Sequence, residues 1–365
     1  LRLGPARNDA RRQQVELAML LARLAQLGTR DPGQRSEAVA YWYSSARTHL
    51  EELLKAFPKD AQLWERLGRA QAAIGREKEA AESFRRAIEL SPERVDAYGL
   101  LAHLLRHSLN QPHDADGTIE QMIKSNPDSL PAHRIAANYW REQGEIDKAS
   151  GHALRMLELE PDNRDGLLMA AQCALVRAMR AAGADNRELV EESLQEAQNY
   201  LDKGTKLYPR DADLCLAAAE AQRLAGRPEN AVEILRNGLK ANADEPNLLV
   251  QLADMLLNMQ RTDEAQALVE QIKKARLNEA IVNYLQGRIQ YNRGNWRAAL
   301  QSFEKAAPGL TPMAQTLKQV YFWIGRCHRE LGNPDEERRY YRQALNLDRD
   351  FAPAKSALAN SLMAS

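Results

Sequence analysis

Apolar and small residues recur along this chain in a fixed register separated by polar residues. Trp64, Leu67, Gly68, Ala80, Phe84, Ala87 and Pro92 are spaced by 3, 1, 12, 4, 3 and 5 residues. Steps of three and four mark one face of a helix, so this register predicts two short amphipathic helices and a proline where the second must stop. From Val95 it returns as Leu101, Ala102, Ala115, Ile119, Met122 and Pro127 after one inserted residue, and from Leu130 as Ala136, Ala137, Ala149, Ala153, Met156 and Pro161. Later units start near Arg164, Ala212, Pro246, Ala280 and Lys318, and each has a small residue in eighth place: Ala171, Ala219, Ala253, Gly287 and Gly325. Ala46, Leu50, Leu53 and Pro58 read as the second half of an earlier unit, with Leu17, Leu20, Leu21 and Leu24 on its first helix.

Small residues at places 8 and 20 are needed where the two helices approach most closely, and apolar residues at places 7 and 24 fill the gap between them. Unit eight departs from the pattern with Glu337 at place 20, which predicts a disturbed helix spacing there. The first unit is about 13 residues longer than the template and the Arg164 unit 14 longer, adding about two turns to each helix at 3.6 residues per turn. Two projecting hairpins follow, with tips near Arg30 to Gln34 and Gly183 to Asn186. The stretch from Ala352 to Met363 reads as a lone first helix, either capping the array or belonging to a longer one.

This register, over residues 8 to the C-terminus, resembles the tetratricopeptide-repeat family. The resemblance implies an all-α fold, a right-handed α-solenoid superhelix of antiparallel helix pairs forming one domain over 1–365. Its units would lie near 8–60, 61–94, 95–129, 130–163, 164–211, 212–245, 246–279, 280–317 and 318–351, with a C-terminal helix at 352–363.

The resemblance also implies that first helices line a concave surface and touch ligands through places 2, 5, 6, 9, 12 and 13. In the N-terminal half those places hold Glu65, Arg66, Arg69, His103, Arg106, His107, Arg134, Asn138 and Arg141, a mainly basic stripe that would suit an acidic segment. Arg134 and Asn138 match the first pair of the family's clamp for a terminal carboxylate, but Met169 replaces the second Asn and Asp213 and Ala217 replace the basic pair. The C-terminal half presents Tyr284, Arg288, Tyr291, Phe322, Trp323, Arg326 and Arg329, the aromatic and Arg types enriched at binding hot spots. Each ring has a competing reading as packing between the last two units, and Trp296, at place 17, reads as core.

Composition narrows the partner. Lys and Arg number 50 against 50 Asp and Glu, so no net field favours nucleic acid or an anionic membrane. A groove of bases and rings could stack single-stranded RNA, but zero net charge argues against it. The most apolar stretch, Leu167 to Val176, is far shorter than the roughly 20 residues that cross a bilayer. The three cysteines, Cys173, Cys215 and Cys327, have no metal or haem spacing and read as buried thiols.

Phosphate-loop, dinucleotide, zinc-protease and nucleophile-elbow motifs are missing from the sequence, so no enzyme activity and no cofactor are expected. His103 and His107 have the four-residue spacing that can share a metal, without a third ligand in the sequence, and no metal site is expected. The sequence starts at Leu1 without an initiator Met, and an upstream segment belongs among the expectations; compartment and oligomeric state are not legible. The function expected is a non-catalytic scaffold that binds a partner peptide or helix in its groove. The alternative is the recognition arm of a larger enzyme or secretion machine.

Overall fold

The computed structural model describes residues 5–28, 32–274 and 278–363, all in helices and the turns between them, with no strand among the described residues. The chain divides into two compact units, residues 1–169 and 170–365. The first contains α1 (Pro5–Gly28), α2 (Pro32–Ala56), α3 (Ala61–Ala73), α4 (Glu77–Leu90), α5 (Val95–His107), α6 (Pro112–Ser125), α7 (Leu130–Glu142) and α8 (Ile146–Leu159). Helix α9 (Arg164–Gly183) carries the boundary. The second unit continues with α10 (Arg187–Leu207), α11 (Ala212–Leu224), α12 (Pro228–Ala241), α13 (Pro246–Asn258) and α14 (Thr262–Lys274). After α15 (Glu279–Asn292) and α16 (Trp296–Ala306) come a 3-10 turn (Ala307–Leu310), α17 (Ala314–Glu330), α18 (Pro334–Leu347) and α19 (Ala352–Met363). Each unit is a row of helix hairpins in which consecutive helices pack on one another.

Two devices build every hairpin from α3 to α18. The first is the turn between its helices, where one residue takes a left-handed conformation: Gly75, Asn110, Gly144, Asp185, Gly226, Gln260, Gly294 or Gly332, with φ between 52° and 79°. That backbone closes a helix C-terminus and reverses the chain, and glycine enters it without the Cβ penalty. The second is the close approach of the two helices. A Cβ added to Gly68 would sit 2.7 Å from the Phe84 ring, one on Gly287 would be 2.6 Å from Phe303, and one on Gly325 2.5 Å from Tyr341. Units with Ala in that place (Ala102, Ala137, Ala171, Ala219, Ala253) have Ile119, Ala153, Leu201, Leu235 and Val269 at the register position of those rings, and all ten are buried. Glycine therefore occurs where the opposing side chain is a ring, and alanine where it is aliphatic, which keeps the gap filled at interior density.

Glu337 is buried in unit eight, yet α17 and α18 still close to contact at Gly325, whose added Cβ would lie 3.2 Å from the Glu337 carbonyl oxygen. The tip expected near Arg30 to Gln34 falls in part outside the described residues. The tip at Gly183 to Asn186 is an exposed turn between α9 and α10, with the Asn186 side chain accepting from the Leu189 amide as an N-cap. Helix α19 lies against α18 and buries Ala354. The three cysteines are buried, and burial pushes the Cys327 thiol up to about 12.

Candidate functional site

In the second unit, α11, α13, α15 and α17 line a groove of about 900 Å³. Its floor is Arg288 on α15, only 2% exposed and the largest fully buried side chain among the described residues. The guanidinium donates through Nη1 to Asp254 Oδ1 at 2.5 Å and through Nη2 to Asn258 Oδ1 at 2.7 Å. The Trp323 ring covers it at 4.0 Å, while its Nε has no hydrogen-bond partner. Burial opposes the charge, and Tyr284 and Asp254 together outweigh burial, so Arg288 is held protonated above its ordinary range. The Tyr284 hydroxyl lies 2.8 Å from Asp254 Oδ1 and 3.0 Å from Gln319 Oε1, and burial followed by the Asp254 charge drives its pKa up.

One end of the groove is aromatic. Phe322 meets Trp323 edge-on at 5.4 Å between centroids and Phe351 at 5.8 Å, and all three stay partly exposed. Tyr291 is buried between Trp296 at 4.8 Å and Trp323 at 5.0 Å, and its hydroxyl accepts from Arg326 Nε at 3.1 Å. Arg326 lies over both Tyr291 and Trp323, and Arg329 is exposed. The C-terminal set thus separates into a buried frame (Tyr284, Arg288, Tyr291) and a reachable surface (Phe322, Trp323, Arg326, Arg329).

The N-terminal set lies in the first unit, where four of its five arginines already have carboxylates. Arg66 pairs with Glu16, Arg69 Nη2 with Glu65 at 3.0 Å, Arg106 with Asp116, and Arg134 Nε with Asp165 at 3.8 Å. Glu65 also binds Arg94 at 2.7 Å, and Arg106 donates to the Tyr139 hydroxyl at 2.8 Å. Asn138 accepts from Arg141 at 3.3 Å. The stripe that reads as basic in sequence is therefore largely neutralised by the helices beside it. His103 and His107 are exposed, with ring centroids 4.6 Å apart and planes tilted by 44°, and no cluster of three or more metal-ligating side chains occurs among the described residues.

Sequence reasoning missed Asn247, Gln251, Asp254 and Asn258 on α13, Gln319 on α17, and Phe351. The first four occupy places 2, 6, 9 and 13 of the unit starting at Pro246, so the signal was present in the template positions. Phe351 falls outside the ligand places and was invisible to them. Asn247 and Gln251 make no side-chain hydrogen bond among the described residues, and the groove's charges are paired, Arg223 with Glu220 at 2.6 Å and Arg288 with Asp254.

Tetratricopeptide repeat family models match residues 43–95, 222–289 and 318–351. Lipopolysaccharide assembly protein B of Escherichia coli K12 is 22% identical over 255 residues, 70% of this chain and 63% of that protein, so the chain spans under two thirds of this relative's length. Protein IFIT1 homolog B of Homo sapiens is 24% identical over 328 residues, 85% of this chain and 67% of that protein. Among solved structures, a tetratricopeptide repeat protein from Parabacteroides merdae superposes with a TM-score of 0.53 at 16% identity, covering 72% of this chain and 98% of that one. At that identity the likeness is one of fold.

Proposed function

Because the chain belongs to the tetratricopeptide-repeat proteins, we propose that it is an interaction scaffold that captures a segment of a partner protein in the groove of its second unit. One observation carries this reading: three partly exposed rings and the two unpaired carboxamides of Asn247 and Gln251 converge on a groove of about 900 Å³ whose floor is the ion pair of buried Arg288 with Asp254. A rigid floor with open hydrogen-bonding groups and a hydrophobic corner suits recognition, since the ligand finds its partners already in place. The paired arginines of the first unit make it a weaker docking face.

Its similarity to Lipopolysaccharide assembly protein B, of which it covers only part, favours a narrower form, in which the array is the recognition arm of a larger assembly machine. The test is affinity capture from the source cells with the wild-type chain and with a Gln251→Ala, Phe322→Ala variant of matched melting temperature. A partner retained by the wild type and lost from the variant is expected. Equal capture by both removes the groove from consideration.

A further inference from the structure

The groove's chemistry specifies the class of segment it takes, on the reading just given that the groove is the partner site. We propose that it holds an extended, uncharged stretch of polypeptide through its main chain, with one large apolar side chain seated against Phe322, Trp323 and Phe351.

Charge comes first. Arg288 is committed to Asp254 and Asn258, and Arg223 grips Glu220 through both Nε, at 2.7 Å, and Nη2, at 2.6 Å. A charged ligand residue entering the groove would lose water without gaining a free counter-charge, and burying an uncompensated charge is costly. Neutral residues avoid that cost.

The polar groups that remain open are carboxamides. Asn247 and Gln251 are four apart on α13 and so share one face, with Cβ atoms about 5–6 Å apart. Residues on one side of an extended chain repeat every two positions, roughly 6.6 Å. Each carboxamide has one acceptor oxygen and two N–H donors, the complement of a peptide group, so the pair matches alternate peptide units of an extended ligand. Gln319 Oε1 faces the Tyr284 hydroxyl, which leaves the Gln319 amino group to donate. At the far corner the three rings meet edge to face and remain partly exposed, and Met313, 39% exposed, adds to the same lining. Such a corner takes a Leu, Met or aromatic side chain at little entropic cost to itself.

The experiment is selection of a phage-displayed random peptide library on the immobilised full chain at physiological salt, with the recovered pool then titrated at about 0.5 M NaCl. The expected pool is enriched in large apolar residues, has net charge near zero, and keeps its affinity within about twofold at high salt because no ligand charge is screened. Gln251→Ala, which removes a partly exposed and unpartnered amide and so leaves the fold unchanged, is expected to weaken binding at least tenfold. Phe322→Ala is expected to do the same, and should it fail to fold, the Gln251→Ala result stands alone. An acidic or basic pool whose binding falls with salt and still depends on Gln251 overturns the ligand class while leaving the groove as the site. A pool indifferent to both substitutions overturns the groove itself, and a library that yields no enrichment overturns the ligand class.

Discussion

Arg288 shows why residue type alone misplaces a contact. From the sequence it is a basic side chain beside rings at a ligand place; in the structure it is a buried strut, and its ion pair with Asp254 orders the groove floor rather than facing a partner. Removing one partner of a buried pair leaves the other uncompensated, so Arg288→Ala is expected to lower unfolding free energy by about 3–5 kcal/mol. Urea denaturation checks this, and a loss below about 1 kcal/mol would show that water repairs the site. Gly68 sets a second expectation. A methyl there meets the Phe84 ring at 2.7 Å, and Gly68→Ala is expected to cost about 1–3 kcal/mol, with Phe84→Leu recovering part of the loss in the double variant. Additive losses would show that the two positions do not share one space.

At the scale of the hairpin, the turns and one histidine pair govern stability. Gln260 takes φ 62° where five other hairpins use glycine, so Gln260→Gly is expected to raise stability by about 0.5–1 kcal/mol, measured by thermal melting. Between α7 and α8, His133 Nε2 lies 2.8 Å from the Pro127 carbonyl, which only accepts, so His133 carries its proton there and its bare Nδ1 accepts from His152 Nδ1 at 3.0 Å. Burial, with His133 adding to it, depresses the His152 pKa to about 4. The unfolded chain then binds more protons than the folded one between pH 4 and 6.5, so this contribution is complete above pH 6.5 and is lost as pH falls towards 4. The slope is at most about 1.4 kcal/mol per pH unit, and His152→Gln is expected to remove it from denaturation curves at pH 5 and 7. The helices themselves were legible in sequence because their periodicity and terminating prolines are local signals. The His133–His152 bond, the Arg106–Asp116–Tyr139 cluster and the pairing of Arg66 with Glu16 were not, because each joins residues on different helices, and adjacency between helices leaves no mark on a single-helix template.

At the scale of the whole molecule, each of the two units, built of hairpins in contact mainly with their neighbours, stores stability as a sum of local terms. A penalty at Gly68 is expected to speed hydrogen exchange in α3, α4 and the helices beside them, leaving the amides of α15 to α18 unchanged. Uniform acceleration along the chain would indicate a single cooperative block. The all-α class was legible because helix-forming composition and a repeated register agree along the chain, while the division at residue 170 was not, since α9 runs through it without a break in pattern. The glycine–ring pairing has a consequence for how such an array can grow. Copying a complete hairpin carries both halves of the match, but a crossover within a hairpin would join a glycine helix to an aliphatic partner, leaving a void, or an alanine helix to a ring, forcing a clash. The interchangeable module of this chain is the whole hairpin, and chimeras spliced in its turns should fold less well than those spliced between hairpins.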